Sequence, residues 1–239
     1  MYVLIFFASR TFAPLLFAGA AKLDSPTLSY WGSSLASVVN CFVVVPMAWI
    51  ACGQGDLLAV DAGLSVTTPL STTACYAMVG YTFFDLLPML YHRKHKTWSG
   101  GVSMYLVHHV CSLLTWGLAA AEGHTHSIVV PVLLLETTGP FVNLRWFLST
   151  HGLKESWLYI INGLVMFVSF FLLRVVFNWW IFFNRIALRT EDMLKLPTHL
   201  MVLTYILYPI NLGLQLLWFQ KILSGVLALL SGKSKKKSK

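Results

Sequence analysis

Seven long apolar segments, joined by short polar linkers, make up most of the chain and limit the folds open to it. Each segment is about twenty residues long, the length that an α-helix needs to cross about 30 Å of hydrocarbon. The linkers contain turn-forming or charged residues, as in GQGD at 53–56 and WSGG at 98–101. The predicted spans are residues 2–22, 32–52, 72–91, 102–121, 126–148, 157–183 and 197–220.

Composition excludes the main alternatives to a helical membrane protein. Hydrophobic residues make up 57% of the 239 residues and charged residues only 11%, which is too apolar for an ordinary soluble domain. A transmembrane β-barrel would show segments of about ten residues with alternating polarity, whereas these segments are twice as long and lack a period of two. The sequence therefore predicts an all-α fold, a polytopic bundle of about seven transmembrane helices.

The net charge of +8 is concentrated in a few places. Five lysines crowd into residues 233–239, which predicts a solvated tail and not a nucleic-acid surface. The other clustered basic residues fall on the same side of a seven-span bundle, and they are Arg93, Lys94, Lys96, Arg145 and Lys154. By the positive-inside rule this side is cytosolic, so the C-terminus is expected in the cytosol and the N-terminus in the lumen.

The end of the chain carries a further localisation signal. The residues KKSK at 236–239 resemble the dilysine retrieval signal of endoplasmic reticulum membrane proteins, and they predict a retrieval coat as a partner. The alternative is a generic basic tail held by anionic lipid. Residues 222–230 are apolar but too short to span, so they extend the last helix or lie along the interface.

The predicted domain organisation has three parts. Residues 1–30 hold the first span and its linker, residues 31–221 form a six-helix domain, and residues 222–239 form an interfacial segment with the lysine-rich cytosolic tail. The first span resembles a secretory signal but lacks a positively charged start, so a retained span is predicted.

Polar side chains inside the spans concentrate toward the cytosolic half. His108 and His109 are adjacent in the fourth span, where Tyr105, His108 and Ser112 share one helix face. His109 points about 100° away from His108. The other members of this set are Asn40, Asp85, Glu136, Asn143, Arg145, Asn162 and Asn211. Lipid offers these groups no hydrogen-bond partner, so they predict a polar chamber within the bundle.

An acid and an imidazole in such a chamber could exchange a proton. Glu136 is expected to be neutral, or paired with a histidine or Arg145, because an ionised carboxylate near the midplane costs about 2.5–3.5 kcal/mol. A Glu–His pair would tune the imidazole toward a base or a nucleophile. The competing interpretation is a buried polar network that fixes helix packing. Arg174 lies deeper, and it is expected to pair with a carbonyl or a lipid headgroup or to snorkel toward the interface.

Prolines near the two acids predict bends in their helices. Pro140 follows Glu136 by four residues, so its missing N–H releases the carbonyl of Glu136. Pro88 follows Asp85 by three residues and predicts a similar kink. Bent helices at both acids suit the wall of a cavity.

No metal site is predicted. The four cysteines lack paired ligand spacing, which disfavours zinc and favours free thiols. A di-iron centre needs clustered histidine boxes, and the pairs His92/His95 and His124/His126 are expected at opposite faces of the membrane. A retinal protein would need a lysine within a span, and Lys195 and Lys221 lie at span ends.

Several short motifs together resemble the TLC domain, a family named partly for the translocating-chain-associated membrane protein and including the ceramide synthases. The motifs are GYTFFDLL at 80–87, HH at 108–109, ETTGPFVNLRW at 136–146 and INGLVM at 161–166, followed by Arg174. The resemblance covers residues 30–220. It implies an endoplasmic reticulum or related endomembrane protein whose helical bundle encloses a lipid-sized cavity.

The resemblance also implies roles for particular residues. In the ceramide synthase branch the double histidine is catalytic, which implies catalytic roles for His108 and His109, with Glu136 as an acidic partner. Acyl-CoA is then the co-substrate, and no other cofactor is implied. The residues implied as lipid-binding or cavity-lining are Asp85, Tyr105, Ser112, Asn143, Arg145, Asn162 and Asn211.

Two functions remain open at this point. The first is a protein that binds or acts on membrane lipids in an intramembrane cavity and contributes to membrane lipid homeostasis. The second is an acyl-CoA-dependent acyltransferase of ceramide synthase type that uses His108 and His109. The sequence leaves the oligomeric state open, a homo-oligomer included.

Overall fold

The structure is a computed structural model that describes residues 1–231, and within that range it contains helices and no strands. This confirms the predicted all-α polytopic bundle. The seven principal helices are α1 (Tyr2–Leu16), α2 (Ser25–Gln54), α3 (Pro69–His92), α4 (Val102–Glu122), α5 (His126–Thr150), α6 (Trp157–Ala187) and α7 (Thr198–Leu230). The lysine-rich segment 233–239, with its dilysine-like end, lies outside the described residues.

Helices α2 to α7 are each long and apolar enough to cross a membrane. Helix α1 is shorter than the predicted span, because its 15 residues reach only about 22 Å. The chain leaves the helix at Phe17, which has an extended backbone, and enters a short 3₁₀ turn at Ala20–Lys22. Helix α7 continues to Leu230, so the apolar residues after 221 extend the last helix.

Helix α2 begins seven residues before its predicted start because its first turn is capped. Asp24 accepts a 2.9 Å hydrogen bond from the Thr27 amide, and Pro26 occupies the first turn, where its missing N–H costs nothing. The hydrogen bond from Thr27, with a smaller contribution from His95, lowers the pKa of Asp24. Asp24 also lies 3.2 Å from Nε2 of His95, which places the start of α2 beside the loop that follows α3.

Helix α2 packs against α1, α3 and α5 through a row of small side chains. Ser33, Ala36, Asn40 and Val44 are buried at helical spacing, and the row continues to Ala48. Small residues let neighbouring backbones approach closely, which is how membrane helices gain packing energy without a strong hydrophobic force between them. Helix α1 lies beside only the first half of α2, since the Tyr2 hydroxyl donates to Asn40 at 2.7 Å.

Helix α5 changes to a 3₁₀ turn close to Pro140, where the sequence predicts a bend. Residues Leu134–Thr138 form a 3₁₀ turn immediately before Pro140, and the Gly139 amide donates to the carbonyl of Glu136. The turn thereby satisfies the carbonyl that Pro140 leaves without its usual donor. By contrast, α3 continues as an α-helix through Pro88 to His92.

The basic loops gather at one end of the bundle, called here the basic end. It is the end at which α2 starts, and it carries Lys22, Arg93, Lys94, Lys96 and Lys154. The opposite end is closed by the loop between α2 and α3. Arg185 is fully buried there and donates to the carbonyl of Leu57 at 3.0 Å, while Arg189 donates to the carbonyl of Ala62 at 2.6 Å. These bonds hold the buried Leu57 and Leu64 against the helices.

Candidate functional site

The intramembrane polar residues form two clusters, where the sequence predicts one chamber. The first, called the histidine cluster, lies about 10 Å from the basic ends of α3 and α4. It consists of Ser33, Asp85, Tyr105, His108 and His109. The second, called the arginine cluster, lies near the middle of α5, α6 and α7. It consists of Glu136, Thr138, Arg174, Asn211 and Gln215.

His109 is held on both ring nitrogens. Its Nε2 lies 3.0 Å from Oδ2 of Asp85 on α3, and its Nδ1 lies 2.7 Å from the carbonyl oxygen of Tyr105 on its own helix. The hydroxyl of Ser33 on α2 donates to the other carboxyl oxygen of Asp85. Three helices therefore fix the orientation of this imidazole.

These contacts determine what His109 can do chemically. A backbone carbonyl only accepts, so Nδ1 of His109 must carry a proton. One further proton is shared between Nε2 and Asp85, whichever atom holds it. The pair is neutral as a whole, which suits a site shielded from water. Nε2 of His109 can bond to a reacting group only after its hydrogen bond with Asp85 breaks.

His108 is in a different situation. Its ring packs edge-on against His109 at 5.7 Å between centroids and against Trp218 of α7 at 5.3 Å. Within residues 1–231, His108 makes no side-chain hydrogen bond. Of the two adjacent imidazoles, His108 is therefore the one whose ring nitrogens are not already engaged by protein groups.

His108 lies in the wall of an apolar cleft between α4, α5 and α7. The cleft extends along α4 from His108 to Leu118 and along α7 from Leu200 to Leu214, and half of its lining residues are aliphatic. Its polar lining includes Ser112, Thr115, Thr204 and Asn211. Between residues 1 and 231, α4 and α7 share polar contacts only near the two ends of the cleft, at Glu122–His199 and Met104–Lys221. The cleft thus combines a mainly apolar wall with a few polar groups, as ligand sites do.

The arginine cluster is built around a buried ion pair. Arg174 donates to Glu136 Oε1 at 3.1 Å and to the hydroxyl of Thr138 at 2.6 Å, and it lies 3.4 Å from Oε1 of Gln215. The partner of Glu136 is thus Arg174, and the predicted pairing with a histidine or with Arg145 is wrong. Arg174 sits within a π-helical stretch, Phe170–Phe177, whose extra residue per turn alters the direction of the side chains.

Comparison with known proteins agrees with this architecture. A TLC domain matches residues 30–224. The chain belongs to the TLC-domain family. Relatives include TLC domain-containing protein 4-B of Danio rerio, 27% identical over 91% of this chain and 81% of the relative. The human TLC domain-containing protein 4 is 34% identical over 40% of this chain and 35% of its own length. No solved structure matches the chain.

The motifs of this TLC domain contribute to both clusters. Residues 80–87 supply Asp85, and residues 136–146 supply Glu136 and Thr138. Arg174 on α6 bonds to Glu136 of the motif at 136–146 and to Gln215 on α7. The motifs therefore meet in space at two depths of the same bundle.

The other residues predicted as lipid-binding or cavity-lining lie either within these clusters or apart from them. The backbone carbonyl of Tyr105 accepts the hydrogen bond from His109. The ring of Tyr105 packs on Trp218, with 5.5 Å between the ring centroids. Asn143 donates to the carbonyl of Gly139, and Asn162 donates to the carbonyl of Phe141, both at 2.9 Å. Asn162 thereby joins α6 to α5, and Asn143 joins α5 to α2 through a 3.2 Å bond to the hydroxyl of Ser37. Within the described residues, neither amide bonds to a histidine.

Arg145 lies apart from both clusters. Its guanidinium stacks 4.1 Å from the ring centroid of Tyr159. It also rests against Gly163, where an added Cβ would collide with it. Because neither neighbour carries an acidic group, Arg145 is placed by a cation–π contact and not by an ion pair.

Several contributors to the site were not predicted from the sequence. Ser33, Trp218 and Gln215 give only weak signals, because a serine, a tryptophan and a glutamine in a membrane helix have many structural explanations. Arg174 carried a stronger signal, since an arginine within a span requires a partner. Its position relative to α5 could not be read from spacing along one helix.

Proposed function

We propose that this TLC-domain protein binds an acyl lipid in the cleft between α4, α5 and α7 and so contributes to membrane lipid homeostasis. The observation that carries the proposal is the apolar lining of the cleft together with the imidazole of His108 in its wall. Apolar clefts with a few convergent polar groups are typical ligand sites. A polar lipid group would lie near His108 while its chain follows α4 and α7.

Blocking the cleft should prevent binding. In Leu207→Trp the indole would fill the cleft that Leu207 lines. We expect methyl palmitate to bind at least about tenfold more weakly than to the native protein, a loss of roughly 1.4 kcal/mol. Native mass spectrometry of the purified protein, titrated with methyl palmitate, measures this directly.

The neighbouring residue supplies a matched control. Ile206 is on the same helix but outside the cleft lining, and it is half exposed on the outer surface. Ile206→Trp should bind methyl palmitate like the native protein. Equal binding by Leu207→Trp and the native protein, or no saturable binding by either, would rule out the cleft as a lipid site.

A second candidate function, acyl transfer from acyl-CoA, is favoured by the contrast between the two histidines. Within the described part of the chain, the ring nitrogens of His108 bond to no protein group, and the ring lies beside the neutral, fixed His109–Asp85 pair. A neutral imidazole nitrogen can attack a thioester carbonyl carbon. The carbon–sulfur bond breaks, the imidazole proton passes to the thiolate, and an acyl-imidazole and free CoA result. An amine or a hydroxyl would then accept the acyl group and return the proton.

We also propose where the protein lies in the cell and how it is oriented in the membrane. Membership of the TLC-domain family supports the endoplasmic reticulum or a related endomembrane, and the basic end supports a cytosolic location for the loops that follow α3 and α5. The end of the cleft beside His108 then lies in the cytosolic half of the bilayer.

Single-cysteine labelling can test the orientation, because three of the four native cysteines are buried. In intact microsomes a membrane-impermeant maleimide should label Lys94→Cys. The matched site at the opposite end, Glu191→Cys, should react only after the membrane is permeabilised. The reverse pattern would show that the basic end faces the lumen.

A further inference from the structure

The proposed lipid cleft contains one polar group whose orientation is set by residues buried outside the cleft. Asn211 lines the cleft, and its Oδ1 lies 3.0 Å from Nε2 of Gln215 one turn along α7. Gln215 in turn faces Arg174. A continuous chain of hydrogen bonds thus leads from the buried Glu136–Arg174 pair to the wall of the cleft.

The chemistry of the arginine determines the direction of every bond in this chain. Arginine has only donors, so the amide of Gln215 must turn its oxygen toward Arg174. Its nitrogen then faces Asn211 and donates, which forces the oxygen of Asn211 to accept. The buried position of both Gln215 and Arg174 removes water as an alternative partner. Reversing either amide would place two donors against each other.

The amide nitrogen of Asn211 remains available to the cleft. Among the described residues it makes no hydrogen bond, while the oxygen of the same amide is engaged. Helices α4 and α7 are antiparallel, with Trp218 against Tyr105 near one end and His199 bonded to Glu122 at the other. By that register Asn211 lies about one helical turn, about 5 Å, deeper than His108.

We propose that Asn211 is the residue that recognises the carbonyl oxygen of the acyl lipid, an inference that rests on the proposed lipid-binding function of the cleft. A fixed N–H donor in an apolar cleft selects a ligand with an acceptor oxygen at that depth. A ligand without an acceptor oxygen leaves the amide N–H of Asn211 buried and unpaired, and such a ligand therefore binds more weakly. The preferred class is therefore esters, thioesters or amides of long-chain acids, over alkanes of equal length.

The same donor has a role in the acyl-transfer candidate. When a nucleophile attacks the carbonyl carbon, negative charge develops on the carbonyl oxygen. A preoriented N–H group facing that oxygen stabilises the charge without reorganising during the reaction. Asn211 would then position and polarise the carbonyl, with His108 approaching the carbon from the α4 side of the cleft.

Isotope-edited infrared spectroscopy can detect this hydrogen bond. The probe is methyl palmitate with a ¹³C-labelled carbonyl, bound to the purified full-length protein. In the native protein we expect the carbonyl stretch at a lower wavenumber than for the same ester in hydrocarbon. Asn211→Leu and the smaller Asn211→Ala both remove the N–H donor, so both should lose this shift and bind the ester about tenfold more weakly.

The controls separate this inference from the function on which it rests. Thr204→Val removes another polar group from the cleft wall and should leave the stretch unchanged. Gln215→Met retains Asn211 but removes the group that orients it, and should weaken the shift. An unshifted carbonyl in the native protein, or the same shift in both Asn211 variants, overturns the role of Asn211 and leaves lipid binding intact. No binding of the ester to the native protein overturns both.

Discussion

Replacing Arg174 with leucine is expected to lower the free energy of unfolding by about 3–5 kcal/mol. The substitution leaves the carboxylate of Glu136 buried without its cation and removes a donor from the hydroxyl of Thr138. An unpaired buried charge costs far more than the net value of the ion pair itself. Denaturation of the purified protein in mixed detergent micelles, followed by circular dichroism, measures the change.

Two further variants make this prediction specific to the ion pair. The double variant Glu136→Leu, Arg174→Leu removes both charges and should recover most of the stability that Arg174→Leu loses. Arg145→Leu removes an arginine that stacks on Tyr159, and it should cost about 1 kcal/mol or less. If Arg174→Leu were no more destabilising than Arg145→Leu, the pair would not hold α5 and α6 together.

His108→Ala is expected to abolish covalent acylation of the protein, if acyl-CoA is its substrate. After incubation with palmitoyl-CoA and an acid quench, mass spectrometry of the native protein should find the palmitoyl group on the His108-containing peptide. The physical reason is that, among the residues that the structure describes, protein groups engage the ring nitrogens of His109 and not those of His108. Without that imidazole the thioester has no nucleophile at the cleft.

The neighbouring pair provides the contrast. Asp85→Asn retains His108 but removes the carboxylate that fixes His109, and it should slow acylation by on the order of 10²-fold without moving the adduct. Thermal unfolding of each variant shows whether it has kept its fold. An adduct on His109, or one that persists in His108→Ala, would contradict the assignment. No adduct on the native protein would remove the acyl-transfer candidate and leave lipid binding.

The competing interpretation of the polar residues, a network that fixes helix packing, describes part of the structure well. Within residues 1–231, the amides of Asn143 and Asn162 donate only to a serine hydroxyl and to backbone carbonyls on neighbouring turns and helices. The Glu136–Arg174 pair likewise joins elements of the bundle. The cleft wall at His108 and Asn211 is different, because there polar atoms face a space that the protein does not fill.

The sequence by itself determined the helices of this protein and the approximate depth of its polar residues. Segment length and apolar character locate α2 to α7, since only a helix satisfies its own backbone hydrogen bonds in lipid. The break before Pro140 also follows from local chemistry, because proline removes a donor at a known spacing. The angle of about 100° between the directions of His108 and His109 follows from helical periodicity in the same way.

Only the tertiary structure decided which polar groups meet. His109 pairs with a residue 24 positions away, and Arg174 with one 38 positions away. Spacing gives the face of one helix on which a side chain lies, but the rotation and depth of the neighbouring helix depend on packing along the whole interface. That packing includes the row of buried residues on α2 and the π-helical stretch around Arg174. In the packed bundle the one predicted chamber is divided into two clusters.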